Sequence, residues 1–109
     1  MVKYSEKQLD RIFSALSNRT RRDMVQRLAA KYQNASDLAR EYNISFPAIS
    51  KHLRVLEGAN LVTVKKRGRQ RIFSVNAEQL EQARAWAEYW SKFWNSSFDS
   101  LEKFLSKNN

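Results

Sequence analysis

From Leu80 to Leu105 the apolar residues step by three or four without a break: Leu80, Ala83, Trp86, Trp90, Trp94, Phe98, Leu101 and Leu105. Tyr89, Phe93 and Phe104 widen the stripe, and all three tryptophans of the protein lie on it. The period predicts one long helix from Ala77 to about Leu105, opening after Asn76, a good N-cap. A stripe this aromatic is too large to leave in water. It must be core of its own chain, the wall of a cofactor pocket, or the seam of a two-fold dimer. The rest of the 109-residue chain is small and has its own core to fill, so the seam is the preferred reading. Leu80, Ala83, Trp86, Trp90, Phe93, Trp94, Phe98 and Leu101 are then its interface residues.

Ahead of that tail the pattern is a run of shorter helices. Leu9, Ile12, Phe13 and Leu16 recur at helical spacing, giving a first helix over 5–16 whose Leu9, Ile12 and Phe13 join the seam. Ser17 or Asn18 caps a second helix with Met24, Val25 and Leu28 inward and Arg19, Arg21, Arg22 and Arg27 on the wet face. Ser36 caps a third, Asp37 to Tyr42, burying Leu38, Ala39 and Tyr42. Asn43 ends it in the left-handed conformation, and Ile44 packs back under the turn. Ser45 then caps a fourth helix over 45–59, with Pro47 in its first turn, Ile49, Leu53 and Leu56 as its inner stripe and Gly58 near its end. Two short helices joined by a tight turn, the second basic and serine-rich, make a helix-turn-helix.

Next come two β-rich runs, Leu61-Val62-Thr63-Val64 and Ile72-Phe73-Ser74-Val75. They flank Lys65-Lys66-Arg67-Gly68-Arg69-Gln70-Arg71, a hairpin with Gly68 near the tip and five cations among its seven residues. Lysine on an edge strand also blocks unwanted pairing. Directly after a helix-turn-helix, though, the hairpin (about 61–75) is better read as a wing along phosphates.

Charge supports a nucleic-acid partner. The chain carries a net +9 with a pI near 10.2. Residues 1–76 hold 16 basic and 6 acidic side chains, a net of +10, while residues 77–109 come to −1. A basic body and a near-neutral tail have different jobs. With no cysteine, disulfides, thiolate metal sites and thiol redox sensing are excluded. No apolar run reaches the roughly 20 residues of a membrane span, and the opening Met1-Val2-Lys3-Tyr4-Ser5-Glu6 lacks the apolar core of a secretory signal. A cytoplasmic protein with no membrane partner is the expectation. One histidine, no cysteine and no glycine-rich loop assemble no catalytic centre, so no enzyme is expected.

The order of elements resembles the ArsR-type family of winged helix-turn-helix repressors over nearly the whole chain. Phe13-Ser14-Ala15-Leu16-Ser17-Asn18-Arg19-Thr20-Arg21-Arg22 is similar to that family's opening ALxxxTRR signature. Ile49-Ser50-Lys51-His52-Leu53-Arg54-Val55-Leu56-Glu57-Gly58-Ala59-Asn60-Leu61-Val62 is similar to its recognition helix running into the wing. Tyr89-Trp90-Ser91-Lys92-Phe93-Trp94 is similar to a branch without metal-binding motifs. The resemblance implies a mainly α fold with a small β-hairpin (α+β), one domain over 1–109. In it, 18–76 is the DNA-binding body, and 5–16 and 77–106 are the dimerisation helices. It also implies a homodimer bound to double-stranded DNA, with two recognition helices roughly 34 Å apart reading an inverted repeat.

On the fourth helix Phe46, Pro47, Ser50, Lys51 and Arg54 count as outward. Ser50 and Lys51 match family positions that contact DNA, and Lys51 suits guanine O6 and N7. Phe46 and Pro47 suit thymine methyls, with a core place at the turn equally open to Phe46. Arg54 suits phosphate, and Ser45 and His52 complete the helix's candidate DNA-contact set, with packing equally open to His52. Lys65, Lys66, Arg67, Arg69 and Arg71 supply the wing's phosphate contacts.

The chain departs from the family in two places. Asn34-Ala35-Ser36-Asp37-Leu38 stands where metal sensors of the family carry cysteines, and the tail has no histidine, the other known sensing ligand. His52 alone is a poor ligand set. Neither a metal nor a cofactor is expected, and no small-molecule effector is identified. Phe46-Pro47 replaces residues that are polar in many members, so the operator does not transfer from relatives. Two other readings remain: a non-specific architectural DNA- or RNA-binding protein, and a repressor gated by a small apolar effector in the aromatic seam.

Overall fold

The computed structural model describes residues 5–107; the opening residues inspected for a signal segment fall mostly outside that range. It consists of α1 (Glu6–Leu16), α2 (Arg19–Ala30), β1 (Gln33–Asn34), α3 (Ala35–Ala39), α4 (Phe46–Gly58), β2 (Val62–Arg67), β3 (Gln70–Val75) and α5 (Ala77–Lys107). The chain is therefore mainly helical with a small antiparallel sheet of order β1-β3-β2.

Side-chain caps set the helix starts, because the first N–H groups of a helix have no partner within it. The Ser5 hydroxyl accepts from Gln8 N–H at 3.0 Å and Asn18 Oδ1 from Arg21 N–H at 3.0 Å. Ser45 Oγ accepts from Ala48 N–H at 3.3 Å. The third helix differs from its expected bounds: it runs Ala35–Ala39, and its cap is Asn34, whose Oδ1 accepts from Asp37 N–H at 2.7 Å. The cause is a strand too short to show a period. Gln33 and Asn34 pair with Phe73 and Ile72, which fixes Asn34 in the extended conformation a cap needs.

The left-handed residue is also not the expected one. Asn60 has φ 59°, and among the described non-glycine residues it alone has positive φ, so Asn43 does not take that role. Asn60 N–H donates to Glu57 C=O at 2.9 Å and Leu61 N–H to Leu56 C=O at 3.0 Å. These two reversed bonds with a left-handed residue form a Schellman end, and Leu61 buries against the core as it leaves. The expected turn residue Ile44 is likewise corrected: it is 42% exposed, because the turn after α3 tightens through Glu41 and Tyr42 and does not fold back over it.

One core serves the body. Ile12 and Ala15 of α1, Met24, Val25 and Leu28 of α2, Leu38 of α3 and Ile49, Leu53 and Leu56 of α4 meet Leu61, Val62 and Phe73 at the base of the sheet. Leu9 and Ile12, expected at a seam, are buried in their own chain and have no surface left to offer a partner. Truncating a buried leucine removes its transfer energy and leaves a cavity. Leu56→Ala should therefore lower unfolding free energy by about 2–5 kcal/mol in a urea titration.

Candidate nucleic-acid interface

Burial of one face of α4 decides what its other face can do. With Ile49, Leu53 and Leu56 in the core, Phe46, Pro47, Lys51 and Arg54 stand exposed and Ser50 is half-buried beside them. Phe46 is 50% exposed, which rules out the core place left open to it. Ser45 is the exposed cap that starts the helix.

The hairpin turns at Gly68, whose φ of 62° is costly for a residue with a Cβ. Its register pairs Lys65 with Ile72, Lys66 with Arg71 and Arg67 with Gln70. Alternation along the strands then separates Lys65 and Arg67 from Lys66 and Arg71, while Arg69 lies in the turn. Lys65 and Arg67 share a face with Tyr32, Ile72 and Ser74, and the Arg67 guanidinium lies 5.8 Å from the Tyr32 ring centre. Arg69 and Arg71 border the side toward α4. Between that side and α4 runs a groove of about 380 Å³, edged by Ser36, Phe46, Ser50, Arg54, Glu57, Arg69 and Arg71 and floored by Leu53 and Phe73.

Glu57 is the acidic member of this basic groove. Its carboxylate accepts from Arg71 Nη2 at 3.3 Å and 3.4 Å, while the same guanidinium lies 5.5 Å from the Phe73 ring centre. Arg71 is thus held to α4 by Glu57 and rests on the Phe73 ring of its own strand.

His52 does not sit on the outer face. It is half-buried, with Nδ1 3.2 Å from Arg21 Nη1. Burial and then the neighbouring cations Arg21 and Lys51 hold its pKa below the ordinary histidine value.

Of the α2 arginines Arg19, Arg22 and Arg27 stay exposed and Arg21 is half-buried, yet three of the four have internal partners. Arg21 donates through Nε to Ala15 C=O at 2.7 Å and through Nη2 to Ser14 C=O at 3.3 Å. Arg22 Nη1 donates to Leu16 C=O at 2.7 Å. Together they cover the carbonyls at the end of α1, whose own last turn has no basic residue. Arg27 donates to Asp23 at 2.9 Å and to Glu41 at 2.7 Å, and the Tyr42 hydroxyl donates to the same Asp23 oxygen at 2.7 Å. The hydrogen bond from Tyr42, then that from Arg27, pulls the Asp23 carboxyl below its usual range.

The tail divides too. Leu80 and Ala83 pack on the body's own core. Gln8 Nε2 ties this junction, donating to Ala59 C=O at 2.9 Å and to Gln79 Oε1 at 3.0 Å. Phe13 meets Trp86 edge-on with centroids 5.2 Å apart, and Trp90 follows at 6.1 Å from Trp86. Beyond them Tyr89, Phe93, Trp94, Phe98 and Leu101 are 47–63% exposed.

A helix-turn-helix domain model matches residues 16–65. The transcriptional repressor SdpR of Bacillus subtilis (strain 168) is 32% identical over 78 residues, 72% of this chain and 87% of that protein. The crystal structure of the ArsR family transcriptional regulator RHA00566 is 31% identical, with a TM-score of 0.78 over 88% of this chain and 98% of that one. The chain belongs to the ArsR family. An ArsR-like transcriptional regulator from Rhodococcus sp. RHA1 follows this chain over 93% of both lengths, at 28% identity and a TM-score of 0.82. This ArsR-family chain is a winged helix-turn-helix transcriptional regulator with a DNA-binding fold. The family's ALxxxTRR stretch has a physical reading here: Arg21 and Arg22 close the end of α1.

The sequence reading missed Gln8, Arg21 and Glu57 as organising residues. Arg21 and Glu57 had a signal, their places in the family-like segments; the partners of Gln8 lie 51 and 71 residues away.

The split of the wing gives a salt-dependence prediction. Each lost phosphate contact lowers the log–log slope of affinity against salt by about 0.9. Arg69→Ala should show that drop on a labelled duplex between about 0.05 and 0.3 M salt. Arg71→Ala should show a clearly smaller one, since Glu57 already offsets its charge; equal drops would mean Glu57 does not hold it.

Proposed function

We propose that this regulator is a homodimeric, sequence-specific repressor acting in the cytoplasm, which reads an inverted repeat through α4 and steadies itself on phosphates with the wing. The observation that carries the reading is the groove between α4 and the wing, with Ser50 and Arg54 on one wall and Arg69 on the other. Ser50 and Lys51 are the base-reading residues, Phe46 and Pro47 the apolar contacts to thymine methyls, and Arg54, Lys65, Lys66, Arg67 and Arg69 the phosphate ligands. Arg71 and His52 enter as residues that hold the wing and the helix.

The second copy covers the aromatic face of α5. Tyr89, Phe93, Trp94 and Phe98 each leave about half of a large ring in water. At roughly 100 Å² apiece, two chains bring about 800 Å² of aromatic surface to a seam, most of the way to the roughly 1,200 Å² of a small specific interface. Leu101, Trp90 and the exposed edge of Phe13 add to it. Regulation does not pass through metal sites of the kinds known in the family. The sequence has no cysteine, and its one histidine is on α4.

The experiment is selection of fragments of the source genome by the purified protein at about 0.15 M salt, where surface charges are screened beyond roughly 8 Å. A few inverted repeats should be enriched, with a preference over bulk DNA of about 10³ or more. Uniform recovery would replace this reading with a non-specific architectural clamp. In sedimentation, Trp94→Ala should shift the protein toward monomer and weaken binding to the enriched repeat in step. A monomer that still bound tightly would remove the seam.

A further inference from the structure

We propose that Arg21 and His52 form a positioning pair that locks the recognition helix to the end of α1, and that the lock holds only while the imidazole is neutral. A guanidinium does not give up its proton in proteins, so at the 3.2 Å contact Arg21 is the donor and His52 Nδ1 the acceptor. A ring nitrogen that accepts carries no hydrogen. The geometry therefore fixes the tautomer with hydrogen on Nε2.

The same planar group donates to Ala15 C=O at 2.7 Å and to Ser14 C=O at 3.3 Å, so one side chain of α2 joins α1 to α4. Protonating Nδ1 removes the accepting lone pair and sets a cation against a cation. The charged groups acting on the ring are Arg21 from α2 and Lys51 from α4 itself, both positive, while α1 contributes its two carbonyls to the pair. Nothing in that set rewards the charged ring, and acid opens the lock. Because α1 also carries Phe13 against Trp86 on α5, the pair connects the tail's attachment to the angle of the helix that meets DNA.

The functional half of the proposal rests on the DNA reading above, whereas the tautomer does not. The chain's single histidine makes the first test direct. A long-range nitrogen–proton spectrum should show an unprotonated Nδ1 and a protonated Nε2 at neutral pH, with the ring charging below its ordinary value of about 6.5. Arg21→Gln should move that midpoint up. An Nδ1–H tautomer, or a midpoint that Arg21→Gln leaves in place, overturns the lock. The unfolded ring takes its proton near 6.5 and the folded ring lower, so this group's share of stability is whole above about 6.5 and is lost as pH falls through that window.

The second test measures binding, at constant ionic strength from pH 8 to 5.5, to an enriched genomic duplex and to a random duplex of equal length. The ratio of the two affinities should fall about tenfold as the ring charges, the size expected for losing one charge-assisted hydrogen bond. His52→Asn, with an amide oxygen near the place of Nδ1, should keep the neutral ratio and lose the pH dependence. His52→Leu should show the low ratio at every pH. A flat wild-type ratio, or a pH dependence that survives in His52→Asn, refutes the coupling to DNA. If no duplex is enriched, the DNA reading falls while the ring's tautomer and midpoint still decide whether the lock exists.

Discussion

One-sided burial of α4 is the constraint on which the rest of the molecule depends. Ile49, Leu53 and Leu56 take a full share of the core, so the helix cannot roll without exposing them. Fully burying each such side chain is worth about 1.5–3 kcal/mol. That burial fixes which residues face outward, and the Schellman end at Asn60 then fixes where the chain goes next. Leu61 is inside, so the wing must start at the core and run outward, bringing Arg69 and Arg71 alongside α4. A groove with one wall from a helix and the other from a hairpin follows from one apolar stripe and two left-handed residues, Asn60 and Gly68.

What the sequence shows of this is what repeats. The stripes of α1, α2, α4 and α5 span several turns each, and the hairpin announces itself by β-branched residues around a glycine. The elements that lack a period were misjudged for that reason. β1 is two residues long and shows no period, so the sequence places the cap and start of α3 two residues too late and its end three too late. Asn43 and Asn60 are both asparagines after a short helix; which one takes positive φ depends on the core placing Leu61, a tertiary fact. Single polar side chains that reach across the molecule are harder still. Arg21 on an apparently wet face, and His52 on the reading helix, face one another only after α1, α2 and α4 have packed.

Arginine is used here in three physically different ways, which a count of basic charge conceals. Arg21 and Arg22 close helix carbonyls, a task that needs several fixed donors more than it needs charge. Arg27 and Arg71 are held by carboxylates, and each also lies within 5.5 Å of an aromatic ring centre. Such exposed pairs contribute little energy singly, and their effect is to set direction. Arg54 and Arg69 border the groove without a carboxylate partner among the described residues. The net charge of +9 therefore overstates what this surface presents to a phosphate backbone, and the sites that matter are those with no internal task.

In the proposed dimer the angle of α5 sets how the two copies meet DNA. Thirty-one residues make a helix of roughly 46 Å, and only its first turns, through Leu80 and Ala83, rest on the body. A lever that long magnifies any tilt at its root. At that root Gln8 joins α1, the end of α4 and α5 in one pair of hydrogen bonds, and Phe13 braces Trp86 from the side. If the exposed rings beyond Trp90 are what a second copy covers, the spacing of the two recognition helices is set at this junction, far from either the seam or the bases. A change that loosens the Gln8 bonds would then alter spacing while leaving both the aromatic face and the groove chemically intact, and binding to one inverted repeat would suffer more than binding to a single half-site.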